Sequence, residues 1–238
     1  MENIKKSFRE MKWYEWIMAI IMIAIAARAM ILGLTTGFAN GNPGWLTVLN
    51  FISAICGVFC VFFCAKANIS NFAFATVNTI VYAIYLVYWK IWGTAALEIL
   101  YYLPMNFVSW YFWAKHRDKE ITQKTKTKRL TMPQNLLCAV IICVSAVIYH
   151  SILVRIGGNV AWWDAFTLAI GIVATILELL RYGEQYIWWL VTDFVAVGMY
   201  IAHFDPVYLT KKSIYLIMAF IGLYNWFKLN KERNSENE

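Results

Sequence analysis

Asn71-Phe-Ala-Phe-Ala-Thr-Val-Asn78-Thr-Ile-Val-Tyr82-Ala-Ile-Tyr85 returns about 115 residues later as Tyr186-Ile-Trp-Trp189-Leu-Val-Thr-Asp193-Phe-Val-Ala-Val-Gly-Met-Tyr200. At that offset Asn78 falls on Asp193, Tyr85 on Tyr200 and Lys66 on Arg181; after a one-residue insertion near Asp205-Pro206, Thr94 falls on Thr210 and Trp110 on Trp226. Both copies lie in apolar sequence. A duplicated membrane segment with a polar residue at matching depth predicts a transporter with a central site.

Composition fixes the solvent. Hydrophobic residues make up 61% and charged residues 15%, with mean hydropathy +0.55, well beyond a soluble domain. The apolar runs are each about 20 residues, the length of a bilayer-crossing helix, and lack the alternation of a β-barrel. Eight spans are predicted, at 13–34, 45–65, 71–91, 93–113, 134–154, 162–180, 185–204 and 207–227. The fold class is therefore an all-α membrane protein with one extra N-terminal helix ahead of a 3+1+3 arrangement. An odd linker helix makes the two three-helix units parallel repeats, about an axis along the membrane normal. Residues 1–44 hold the N-terminus, the extra helix and a turn-rich outer loop; 45–113 form the first repeat. Residues 114–161 contain a basic linker, the linker helix and an outer loop; 162–227 form the second repeat and 228–238 a cytoplasmic tail, of which 231–238 is read as disordered.

The net charge of +7 is a topology signal rather than a nucleic-acid footprint. Of 21 Lys and Arg, only Lys90, Arg155, Lys211 and Lys212 fall on the side opposite the termini, with Arg28 inside the first span. The positive-inside rule then places both termini in the cytoplasm, with membrane lipid as a partner and anionic lipid near the basic face. The apolar run at the N-terminus is too long for a cleaved signal peptide. Cys56, Cys60 and Cys64 share a helix face and are read as small residues at a helix contact, not as a metal site. No cofactor or metal is predicted. His-Glu-x-x-His, Gly-x-Ser-x-Gly and P-loop patterns are absent, which leaves an enzyme without support.

The candidate substrate-binding residues are Asn78, Tyr82, Glu98, Tyr102, Asn106, Trp189, Asp193, Tyr200 and Asn225. Asn78 and Asp193 lie about 11 Å into spans that start on the same side, which puts them near the midplane. An ionised carboxylate there costs about 3 kcal/mol against lipid, so Asp193 must face protein. Trp189 and Tyr200 share its face, and an indole beside a carboxylate suits a flat cation. The other reading of Asp193 is a structural carboxylate paired with Lys211, Lys212 or a tyrosine. Glu98, Tyr102 and Asn106 form an i, i+4, i+8 stripe on a span interrupted by Pro104. Asn78, Tyr82 and Asn225 serve equally as interhelical hydrogen-bonding groups. Glu178 and Arg181 are read as a local i, i+3 ion pair, and Trp110 and Trp113 as interfacial tryptophans.

Ile69-Ser-Asn71-Phe…Asn78, followed by Tyr101-Tyr-Leu-Pro104-Met-Asn106-Phe-Val-Ser-Trp110-Tyr-Phe-Trp113, resembles the first half of the PnuC family of nicotinamide riboside transporters. Trp163-Asp164…Ile172-Val-Ala-Thr-Ile-Leu177 and Trp189-Leu-Val-Thr-Asp193 resemble its second half. The likeness covers roughly residues 45 to 226 without the linker helix, and the family is similar to SWEET sugar transporters in its 3+1+3 plan. It implies an inner-membrane uniporter for an unphosphorylated vitamin trapped inside by a kinase, and a homotrimer. The family's Trp-x-x-x-Asn motif matches at Trp189 and Asp193, with Asp in place of Asn. Glu98 stands where relatives carry Asn or Gln. Both departures add negative charge, compatible with nicotinamide riboside and equally with thiamine, a cationic vitamin moved by close relatives. Trp189 would stack on the ring, Asp193 and Glu98 would balance its charge, and Asn78, Tyr102 and Asn106 would bond the amide or ribose. The alternatives of another class are an intramembrane enzyme using Asp193 and Glu98, and a receptor that binds without transport.

Overall fold

The computed structural model describes residues 2–35, 43–88, 90, 95, 97–117, 124–155, 161–202 and 206–236. Among them the chain is all helical with no strand, only isolated bridges. The helices are α1 (Glu2–Arg9), α2 (Trp13–Thr35), α3 (Gly44–Ala65), α4 (Asn71–Tyr88), a π-helical turn (Glu98–Tyr102) running into α5 (Leu103–Lys115), α6 (Met132–Arg155), α7 (Ala161–Leu179), α8 (Gln185–Ala202) and α9 (Pro206–Glu236). Four helices, Trp13–Thr35, Gly44–Ala65, Asn71–Tyr88 and the Met132–Ile152 part of α6, are long and apolar enough to cross a membrane. Ile20, Leu136 and Phe194 are more than half exposed, as lipid-facing side chains are. The predicted spans 13–34, 45–65, 71–91 and 134–154 lie within a few residues of these four helices. The outer loop at 38–44 falls largely outside the described residues. The tail read as disordered is instead helical through Glu236, because α9 continues past the apolar stretch.

Each corner between paired helices is built the same way. After α3, Ala67 adopts a left-handed φ of 54°, with Asn68 N–H bonded to Phe63 O and Ala67 N–H to Cys64 O. After α7, Arg181 has φ 68°, with Tyr182 N–H bonded to Leu177 O and Arg181 N–H to Glu178 O. This is the Schellman ending, made here without glycine. The corners lie 114 residues apart, as do the helix starts Asn71 and Gln185. Burial follows that register: Asn71 and Gln185 are buried, Phe72 and Tyr186 are buried, and Thr79 and Asp193 are buried. The residue opposite Asp193 is thus Thr79, not Asn78. A register chosen to superpose two polar residues was one position out.

Helix α3 packs on α4 as α7 does on α8, and α2 packs on α3 as α6 does on α7. The extra N-terminal helix and the linker helix thus lean on equivalent partners. The last helices cross over: α5 packs on α7, and α9 on α3. Trp113 Nε1 donates to Glu178 O at 2.8 Å and Trp226 Nε1 to Cys64 O at 2.9 Å. Their rings face each other with centroids 5.3 Å apart. Phe72 packs edge-on against Trp113, and Tyr186 against Trp226. Both indoles are fully buried, so Trp113 is a core residue and not an interfacial one, and Trp226 pairs with it rather than with Trp110. Two notches complete the pattern. A Cβ at Gly57 would lie 2.6 Å from the Tyr215 hydroxyl, and one at Gly171 would lie 2.7 Å from that of Tyr102.

The segment at 124–128 is not a plain solvated linker. Thr125 N–H bonds to Ala67 O and Lys128 N–H to Arg181 O, so one segment crosses both corners. Thr125 and Thr127 are buried, and Thr127 Oγ1 donates to Trp226 O. Glu15 on α2 is buried against Lys66, tying the N-terminal helix to the first corner. Burial lowers the Lys66 ammonium from its ordinary range, and the bond to Glu15 opposes that shift.

Candidate functional site

A cavity of about 220 Å³ opens where α3, α7, α8 and α9 meet. Helix α8 contributes Tyr186, Trp189 and Asp193, whose spacing puts them along one face. Helix α9 adds Lys212, Tyr215 and Ala219; α7 adds Glu178; α3 adds Cys60, Val61 and Cys64.

Two carboxylates face this space with different partners. Asp193 is 4% exposed, and Lys212 Nζ approaches its Oδ1 at 2.8 Å. The same ammonium stands 5.7 Å from the Tyr215 ring centroid. Glu178 is held by neutral groups: Asn71 Nδ2 donates to Oε1 at 3.2 Å and the Cys64 thiol at 3.5 Å, while Tyr186 OH donates to Cys64 Sγ at 3.2 Å. Cys64 and Glu178 lie at equivalent positions in the 114-residue register, so this contact marks where the two halves meet. The described part of the lining sets two acids against one ammonium. With Trp189, Tyr186 and Tyr215 it offers aromatic faces as well, the combination that receives a flat cation.

Trp189 and Asp193 thus stand together, four residues apart on one wall. Of the two readings of Asp193, the ion pair with Lys212 is present, and the carboxylate also faces the cavity. The other candidates with described side chains are not among the lining residues. Asn78 accepts from Ser53 Oγ at 2.7 Å, and its Oδ1 sits against Gly57, the notch that also receives Tyr215. Tyr82 is 38% exposed and stacks on Tyr85. Asn106 donates to Thr79 Oγ1 at 3.2 Å, Tyr102 fills the Gly171 notch, and Glu98 is half-buried at the start of the π-helical turn. Within the stripe Glu98–Tyr102–Asn106, Tyr102 and Asn106 turn to different neighbours, the one to α7 and the other to α4. Asn225 donates to Ala65 O and caps the end of α3, outside the central cavity. The Tyr200 side chain lies outside the described residues.

Glu178, Lys212, Tyr186 and Tyr215 were not among the sequence candidates. No ion pair joins Glu178 to Arg181 among the described residues, because α7 ends at Leu179 and the left-handed Arg181 carries its side chain out of helical register. Arg181 Nη1 donates instead to Lys126 O. One signal was available: an acid in the last turn of an apolar helix, beside a corner repeated in both halves. No group of three or more His, Cys, Asp or Glu that could hold a metal occurs among the described residues.

A family model described as "Nicotinamide mononucleotide transporter" matches residues 47–228. The nicotinamide riboside transporter PnuC of Neisseria mucosa is 31% identical over 218 residues, covering 87% of this chain and 81% of the relative. The protein of the same name from Haemophilus influenzae is 31% identical over 203 residues, covering 83% and 85%. A crystal structure of the vitamin B3 transporter PnuC superposes with a TM-score of 0.75 at 26% identity, over 93% of this chain and 94% of the other.

Proposed function

The chain belongs to the nicotinamide mononucleotide transporter family, and from that premise we propose that it is a uniporter importing nicotinamide riboside by facilitated diffusion. Downstream phosphorylation then traps the vitamin inside. The observation that carries this reading is the cavity in which Trp189, Asp193, Lys212 and Glu178 meet. Its aromatic walls suit the pyridinium ring, and Glu178, whose partners are neutral, supplies the counter-charge once Lys212 is matched to Asp193. Asn78, beside the Gly57 notch, is the first-half residue nearest in arrangement to a lining group. Tyr82, Glu98, Tyr102, Asn106, Tyr200 and Asn225 remain proposed contacts for a second state of the carrier.

The finer architecture belongs to the same proposal: eight spans, two parallel three-helix repeats at 45–113 and 162–227, and an extra helix at the N-terminus. The recurring 114-residue register and the reciprocal tryptophan bonds support it. An inner-membrane location with both termini cytoplasmic follows from the distribution of Lys and Arg, and a homotrimer from the family likeness. The chain would act as a carrier without a catalytic step.

Counterflow in proteoliposomes tests the reading. Labelled nicotinamide riboside should exchange unchanged and follow its gradient, with Trp189→Ala and Glu178→Gln reducing uptake. Chemical conversion of the label would point to an enzyme, and binding without exchange to a receptor. Uphill accumulation with no kinase or ion gradient would refute facilitated diffusion. Thiamine in parallel decides which cation the added carboxylates serve.

A further inference from the structure

A second cavity, of about 400 Å³, lies at the end of the bundle that carries the α3–α4 corner. Among the described residues four lysines from four separate segments line it: Lys12 before α2, Lys66 after α3, Lys124 in the crossing segment and Lys228 on α9. Glu10 and Glu232 are the described acids on the same wall. Lys66 is already engaged by Glu15 and by Glu10 O, and Lys228 approaches Glu232 at 3.6 Å. Lys12 rests on the Tyr14 ring with its nitrogen 5.7 Å from the centroid, and neither Lys12 nor Lys124 makes an ion pair among the described residues.

Like charges converging on one concavity repel unless an anion joins them, and these four are gathered by chain segments far apart in sequence. Nothing in the central cavity needs them. The space is large enough for more than a bare inorganic ion. Trp13 beside Lys12 is 74% exposed, the position of an interfacial tryptophan at headgroup depth. We propose that this cavity binds a phosphate-bearing anion, with Lys12, Lys124 and Lys228 as its direct ligands and Lys66 adding fixed positive charge behind them. Ammonium groups suit phosphate oxygens as point-charge donors without imposed bidentate geometry. Two sources share this chemistry: a soluble phosphate ester, or the headgroup of an anionic phospholipid. Because Lys66 follows the end of α3 and Lys228 lies on α9, an occupant here would brace two helices that also line the central cavity. The inference does not depend on what the central cavity carries.

The test uses the full chain in detergent at fixed ionic strength, with two probes. Inorganic pyrophosphate represents the soluble source and phosphatidylglycerol in mixed micelles the lipid source, and thermal unfolding reports occupancy. Lys12→Gln, Lys124→Gln and Lys228→Gln combined should weaken saturable binding about ten-fold or more. A triple variant of equal charge change at exposed positions, Lys5→Gln, Lys6→Gln and Lys115→Gln, should not. The single Lys124→Gln variant carries the test if the cavity triple fails to fold. Stabilisation by pyrophosphate, lost in the cavity variant, assigns a soluble ester; stabilisation by phosphatidylglycerol alone assigns a lipid headgroup. Absence of saturable stabilisation by either probe, or equal loss in both triples, overturns the site.

Discussion

Helices α4 and α8 share a start, a burial rhythm and a corner, yet one carries a neutral polar pair where the other carries an ion pair. On α4 the buried Thr79 is satisfied by Asn106 of α5; on α8 the buried Asp193 is satisfied by Lys212 of α9. The partner comes from the third helix each time, but from a different height. By the offset that relates Trp113 to Trp226, Asn106 has Ala219 at the matching place. The frame is therefore held by features common to both halves: left-handed corners, glycine notches and indole bonds. Those features leave each buried polar position free to carry its own chemistry, and the charge has gathered in the second half.

The largest effects should come from the shared frame. Trp226→Ala removes a fully buried indole and its bond to Cys64 O, with an expected loss of about 3–5 kcal/mol in unfolding experiments in detergent. Trp113→Ala should match it; a loss of half that size would mean the two bonds do not bear equal load. Next comes the charged pair. Asp193→Asn leaves the Lys212 ammonium facing the cavity without its partner and should cost about 2–3 kcal/mol, less than a fully buried pair because Lys212 is partly exposed. Adding Lys212→Met should restore most of that stability, and a double mutant as unstable as the single would show the pair does not act as a unit. Gly57→Ala and Gly171→Ala should each cost about 1–2 kcal/mol through collision with a tyrosine hydroxyl. Tyr215→Phe and Tyr102→Phe should relieve them, and the Gly57 variant should impair uptake more than the Gly171 variant, since Tyr215 lines the cavity. The smallest change in stability is on the neutral side: Thr79→Val leaves Asn106 without its acceptor and should cost about 1 kcal/mol.

Hydrophobic run length made the helices legible, and the i, i+4 spacing of Trp189 and Asp193 made one wall of the cavity legible. What stayed hidden depends on backbone geometry or on helices meeting from a distance. Ala67 and Arg181 take left-handed conformations that their side chains do not advertise, so the Glu178–Arg181 spacing read as a helical pair when the helix had already ended. Lys212 was counted among charges outside the membrane because its side chain reaches Asp193 from another helix. A polar stripe on one span does not say which neighbouring helix each member meets: Tyr102 reaches Gly171 and Asn106 reaches Thr79. Matching Asn78 to Asp193 missed that the buried polar place is one residue further on, at Thr79, with a hydroxyl opposite the acid.

The segment at 124–128 has a mechanical consequence. With Thr125 fastened to one corner and Lys128 to the other, backbone bonds that side-chain replacement leaves untouched stitch the two corners together. Were one bundle to rock against the other, as the proposed carrier would require, the motion would pivot about that seam and the widest excursion would belong to the opposite rim.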